Sequence, residues 1–125
     1  MRKPALVIIG VLLLLIFHAG FAFGNKSVVS IEAPKTAPKG SEVTIKVTAT
    51  HSANSALHYT QWLKLTVNGN EVARWDFSSS KRPGGEVFTR EVKTKVVENV
   101  DIVAEASCNV HGSAGPATAK ISVRD

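Results

Sequence analysis

The sequence predicts an all-β fold, two sheets packed face to face. Three observations carry that expectation. After residue 24, apolar and polar residues alternate with a period of two. The alternating runs are short, and clusters of Gly, Pro, Asn and Ser separate them. No helical pattern appears in that part of the chain.

The N-terminal stretch reads differently. Met1-Arg2-Lys3 is basic, Ala5 to Phe17 is apolar, and Ala19 to Gly24 is rich in small residues. That order is the order of a secretory signal helix, with cleavage expected after Gly24 or, alternatively, after Ala22. Residues 4 to 23 are also just long enough to span a bilayer, so an uncleaved anchor is the other reading. Pro4, Gly10, His18 and Gly20 interrupt the run and favour cleavage. Either way residues 25 to 125 are expected to form one domain outside the cytoplasmic membrane, in a periplasm or an equivalent exported location. Membrane contact is expected only through residues 1 to 24.

Seven strands follow in order. Residues 28 to 33 form the first, stopped by Pro34, and Pro38 to Ser41 is a turn. From Glu42 to His51, Val43, Ile45 and Val47 face one side and Thr44, Lys46 and Thr48 the other. Residues 52 to 57 are a loop of small and polar residues. His58 to Val67 is the third strand, with Leu63, Leu65 and Val67 on one face and Trp62 in a packing role. Asn68-Gly69-Asn70 is a hairpin turn, and Glu71 to Phe77 returns. Ser78 to Gly85 contains Arg82-Pro83-Gly84-Gly85 and is irregular. Glu86 to Val97 alternates again. Val100 to Cys108 places Val100, Ile102, Ala104, Ala106 and Cys108 on one face. After the loop at 109 to 117, residues 117 to 123 close the chain. Seven short strands with frequent turns predict an immunoglobulin-like antiparallel β-sandwich.

Charge narrows the choice of partner. The chain has 15 Lys and Arg against 10 Asp and Glu, a net +5. Without Arg2 and Lys3 the count is 13 against 10, a net +3. The basic residues are scattered, and Lys81-Arg82 is the only adjacent pair after the signal. A nucleic-acid surface needs a clustered basic face with aromatics, which is missing, so no nucleic-acid partner is expected. Weak steering of a small anion is consistent with the charge.

Cys108 is the only cysteine. Oxidising compartments favour paired cysteines, so a lone exported thiol is reactive, bound or inert. Three histidines follow the signal. His51 ends the second strand, His58 starts the third, and His111 follows Cys108 by three residues. In an immunoglobulin-like sandwich the loop between strands two and three shares an end with the loop between strands six and seven. All four groups are therefore expected at one pole. Imidazole suits iron, copper, nickel and zinc, and thiolate favours the softer ions. A metal would also hold the thiol deprotonated. Three other readings stand beside this one. A Cys–His nucleophile pair lacks an orienting third residue. A blue-copper site lacks an axial thioether, since Met1 is the only methionine. A buried thiol can also be inert packing.

These residues resemble a known family. Cys108-Asn109-Val110-His111-Gly112 is similar to the Cys-Asn-x-His-Gly signature of the desulfoferrodoxin and neelaredoxin superoxide reductases. His58-Tyr59-Thr60-Gln61-Trp62-Leu63-Lys64-Leu65 resembles that family's His-Tyr-Ile-x-Trp-Ile-x-Leu strand, and residues 26 to 34 resemble its Lys-His-x-Pro-x-Ile-Glu-Ala-Pro segment. The resemblance implies an immunoglobulin-like domain with a mononuclear iron centre. It implies reduction of superoxide to hydrogen peroxide with one electron and two protons. The electron would come from a separate donor protein, since the small four-cysteine iron site of some relatives is missing. By motif, Cys108 would be the axial thiolate and His58 and His111 equatorial ligands. His51 would be another, seven residues before His58 where the family usually has six. Lys26 matches the lysine that attracts superoxide and helps donate a proton. Ser27 stands where a fourth histidine is expected. A serine hydroxyl is a poor ligand for ferrous iron, so the implied site has three histidines and one cysteine. The sequence reading is thus an exported iron protein of superoxide-reductase type. A non-catalytic metal-binding or electron-transfer module, with iron or copper, is the alternative, and a metal-free structural sandwich the second.

Overall fold

Strands form where the sequence alternates. The computed structural model describes residues 26 to 125, and the expected signal helix, residues 1 to 24, lies outside them. Eight strands make up the described chain: β1 (Val28–Glu32), β2 (Thr36–Pro38), β3 (Ser41–Thr50), β4 (Thr60–Val67), β5 (Asn70–Asp76), β6 (Val87–Val96), β7 (Val100–Cys108) and β8 (Ala117–Arg124). No helix occurs among the described residues. One sheet has the order β1-β3-β6 and the other β2-β8-β7-β4-β5. The sequence-based count was one short. Thr36–Pro38 pairs in parallel with β8, at the edge of the larger sheet. Three residues ending in proline carry almost no strand signal, and an edge is where a sheet tolerates proline.

The period of two builds the core directly. In β3, Val43, Ile45, Val47 and Ala49 are buried and their neighbours mostly face solvent. In β7, Val100, Ile102, Ala104 and Ala106 are buried in the same way. Leu63, Leu65, Phe88, Val96 and Ile121 complete the layer between the sheets. The inward row of β7 ends on Cys108, which is 3% exposed. The alternation that makes the core therefore delivers the thiol to the end of the sandwich.

Two features set the ends. The β4–β5 hairpin turns through Asn68 (φ 47°) and Gly69 (φ 82°), both left-handed, as a two-residue type I′ turn requires. The Asp101 N–H donates to Asn68 Oδ1 at 2.8 Å, which ties this hairpin to the start of β7. At the opposite end of β4 the register against β7 shifts between Thr60 and Trp62. This bulge turns Thr60 inward, opposite Cys108, whereas Trp62 lies on the outer face. Trp62 is half-buried there, with Lys64 Nζ and Arg74 Cζ at 5.1 and 5.3 Å from its ring centre. Because β4 and β7 are antiparallel, the loop entering β4 and the loop leaving β7 share one pole.

Candidate metal centre

Each candidate residue reaches that pole from a strand end. His51 directly follows β3, and its main-chain N–H donates to the Glu86 carbonyl at 2.8 Å. Its ring is buried, at 3% exposure, and neither Nδ1 nor Nε2 has a hydrogen-bond partner. His58 leaves a tight turn closed by reciprocal main-chain bonds between Ser55 and His58, at 2.8 and 3.2 Å. That turn postpones the start of β4 to Thr60, two residues later than the sequence pattern suggests. His58 Nε2 lies 3.1 Å from His111 Nδ1. The His58 ring meets those of His51 and His111 edge-on, with centres 4.6 and 4.9 Å apart.

Cys108 Sγ accepts the main-chain N–H groups of Val110 (3.3 Å) and His111 (3.4 Å). A sulfur receiving two such bonds is suited to hold electron density. Donor atoms of His51, His58 and Cys108 all lie within 4.8 Å of one another. His111 joins the cluster through His58 and stays exposed to solvent. The four residues expected at one pole are therefore brought together there.

The cluster passes a chemical test for a metal. Buried polar atoms are nearly always hydrogen-bonded, and an orphan needs an explanation. His51 presents two orphans beside the His58 imidazole and the Cys108 thiol. Imidazole nitrogen with thiolate sulfur is the donor set of iron, copper and zinc sites.

Ser27 and Lys26 take different places. Ser27 is fully buried, and its Oγ is 2.8 Å from Thr60 Oγ1. Its N–H donates to the Gly112 carbonyl at 3.3 Å, and its carbonyl accepts from Ala114 N–H at 3.0 Å. The hydroxyl is thus engaged with Thr60 in a fully buried position. Lys26 is exposed at the rim of an open depression of about 250 Å³. Thr50, His51, Ser52 and Glu86 line the same depression, so it connects solvent to the His51 side of the cluster.

Sequence reasoning gave no role to the residues that brace the loops. Asn54 Nδ2 donates to the Pro83 carbonyl at 2.9 Å. Asn109 bonds the loop on both sides of His58. A polar residue held inside Cys-Asn-x-His-Gly was the available signal for Asn109. The loop after Cys108 closes on Gly112: Cys108 N–H donates to its carbonyl at 2.9 Å, and Gly112 N–H returns to the Cys108 carbonyl at 3.1 Å. Gly112 has φ +77°, and a Cβ there would touch nothing within 4 Å. Gly112→Ala therefore meets backbone strain alone. We expect it to cost about 1–2 kcal/mol in chemical denaturation of the metal-free protein, and Gly112→Asn to cost less.

Comparison with known proteins gives a family match and several structural neighbours. The desulfoferrodoxin family model matches residues 21 to 113. The superoxide reductase (neelaredoxin) from Ignicoccus hospitalis is similar in structure, with a TM-score of 0.67 and 22% identity, covering 79% of this chain and 82% of that one. A Thermotoga maritima protein provisionally described as a superoxide reductase gives a TM-score of 0.60 at 25% identity, covering 78% and 86%. A CARDB domain from Pyrococcus furiosus, solved with two metal ions, gives 0.60 at 16% identity, covering 78% and 87%. No curated protein matches in sequence.

Proposed function

The chain belongs to the desulfoferrodoxin family, and on that basis we propose that it holds one iron ion between His51, His58, Cys108 and His111 and reduces superoxide there. One observation carries the proposal. Three donor residues converge within 4.8 Å, and one of them is a buried histidine whose ring nitrogens are otherwise unsatisfied. We also propose that residues 1 to 24 export the domain, from their basic, apolar, small order.

The overall reaction takes one superoxide, one electron and two protons to hydrogen peroxide. Iron bound at the site would supply that electron by passing from ferrous to ferric, and a separate donor protein would restore it. The chain's own residues do the rest. Cys108 is buried, which keeps bulk water from the sulfur side of the cluster. The N–H groups of Val110 and His111 hold the sulfur in place and temper its electron donation. The Lys26 ammonium sits at the rim of the depression that leads to His51. It attracts an anion from solution toward that depression.

Steering by one exposed charge is screened by salt. Lys26→Met is expected to slow the second-order reaction with superoxide by about tenfold at low ionic strength. It should also flatten the dependence of that rate on salt. Pulse radiolysis at several salt concentrations measures both effects, and an unchanged rate and slope would remove Lys26 from the route.

A second reading is a metal-binding or electron-transfer module without turnover. The observation favouring it is Ser27, whose hydroxyl is bonded to Thr60 where the family resemblance implies a fourth histidine. One experiment separates the readings. Protein loaded anaerobically with ferrous iron and then oxidised is measured for metal content and visible absorption. One iron per chain, with a thiolate-to-ferric band and rapid reaction of the ferrous form with superoxide, supports the reductase. Iron and a band without that reaction support the module. A folded protein that takes up no iron rejects the reductase and the iron form of the module, and copper is then the metal to try.

A further inference from the structure

Asn109 is bonded to both halves of the candidate site, and no ligand role accounts for it. Its own main-chain N–H donates to the Tyr59 carbonyl at 3.1 Å. Its side-chain Oδ1 accepts the Tyr59 N–H at 3.0 Å. Its Nδ2 donates to the Leu57 carbonyl at 3.2 Å. The carboxamide thus grips the chain on either side of His58, at residues 57 and 59, from the position next to Cys108 in sequence. Both functions of the amide are used, one as acceptor and one as donor.

The grip matters because the His58 segment lies outside the regular strand pairing. Tyr59 lies before β4 begins, and Leu57 is 84% exposed. The register between β4 and β7 is broken by the bulge just beyond Thr60, so regular pairing does not extend to His58. The local turn to Ser55 sets the shape of the loop but not its distance from Cys108. The Asn109 side-chain bonds add to the main-chain bond at Tyr59 and the Thr60–Cys108 pairing in setting that distance, and among these they alone reach the residue before His58. They span 50 and 52 residues of sequence.

We propose that Asn109 is a positioning residue for the metal centre, locking the His58 imidazole to the Cys108 sulfur at a fixed separation. This rests on the reading of the pole as a metal site. An outer-shell partner that orients a ligand typically changes metal affinity by about 10- to 100-fold when removed. Asn109→Ala deletes the side-chain bonds to Tyr59 and Leu57, together with the long contact of Oδ1 with Cys108 Sγ at 3.9 Å. Asn109→Asp keeps an acceptor for Tyr59 N–H, loses the donor, and sets an oxygen against the Leu57 carbonyl.

The test uses cobalt(II) as the probe, added to the purified protein under reducing conditions. Affinity is read by titration. The energy and intensity of the sulfur-to-cobalt absorption report the spacing of thiolate and imidazoles. Thermal unfolding of the metal-free protein is measured alongside. The expected result is a loss of affinity of about 10- to 100-fold in Asn109→Ala with a shifted absorption. Asn109→Asp should fall between Ala and wild type in both readouts. If Asn109→Ala lowers only the unfolding temperature, with affinity and absorption unchanged, the role is structural and the proposal is overturned. Should Asn109→Ala fail to fold, Asn109→Asp decides alone: wild-type affinity and absorption in that variant overturn the proposal. If the wild type itself binds no cobalt, the metal-site reading fails, and the positioning role with it. That outcome is distinct from a wild type that binds while the variants bind equally well.

Discussion

Cys108→Ser is expected to abolish the thiolate-to-metal absorption and to weaken metal binding by more than about 100-fold, beyond the range for losing an outer-shell partner. The argument has two parts. A neutral hydroxyl is a much poorer donor than thiolate to iron or cobalt, and its shorter bond from Cβ draws the donor atom back from the imidazoles. The fold, in contrast, should survive. Serine is close in size to cysteine, and the two N–H groups now aimed at sulfur, from Val110 and His111, become partners for an oxygen that would otherwise be buried alone. Stability of the metal-free variant should stay within about 1–2 kcal/mol of wild type. Cys108→Ala checks the second part, since it leaves both N–H groups unpaired and should be the less stable of the two. A serine variant that kept the absorption would remove Cys108 from the site.

The core and the pole were legible in sequence for the same physical reason. A period of two fixes which side chains face inward, and the strand order of a sandwich fixes which loops share an end. Cys108 continues the inward row of β7, and His51 and His58 bracket the loop between β3 and β4, so their meeting follows from topology. What the pattern missed depends on single-residue events. The bulge after Thr60 reverses the face of one residue, and alternation predicts the opposite face for it. That reversal pairs Thr60 with Ser27 and fills the slot beside Gly112. The strand at Thr36–Pro38 is too short to show a period. The grip of Asn109 on residues 57 and 59 joins positions about fifty apart, and no local pattern encodes such a bond.

His51 offers the sharpest separation of function from stability. Its imidazole is buried with both nitrogens unsatisfied, which a metal-free protein bears as a penalty. An unpaired buried polar group costs about 1–3 kcal/mol. His51→Leu replaces the ring with an apolar side chain of similar size and leaves the main-chain bond to Glu86 in place. The metal-free variant should therefore be more stable than wild type by about 1–3 kcal/mol in chemical denaturation. His51→Asn, which keeps a polar group in the same pocket, should show no such gain. Metal reverses the order. A ligand at a thousand times its dissociation constant stabilises the folded state by about 4.1 kcal/mol, and a variant that has lost a ligand residue gains almost none of it. Wild type should be the less stable protein without metal and the more stable one with it. A crossing of the two stabilities on adding ferrous iron or cobalt would show that the buried imidazole is kept for the metal, because packing alone selects against it. A His51→Leu protein that is destabilised without metal, or stabilised by metal as much as wild type, would assign His51 to the core.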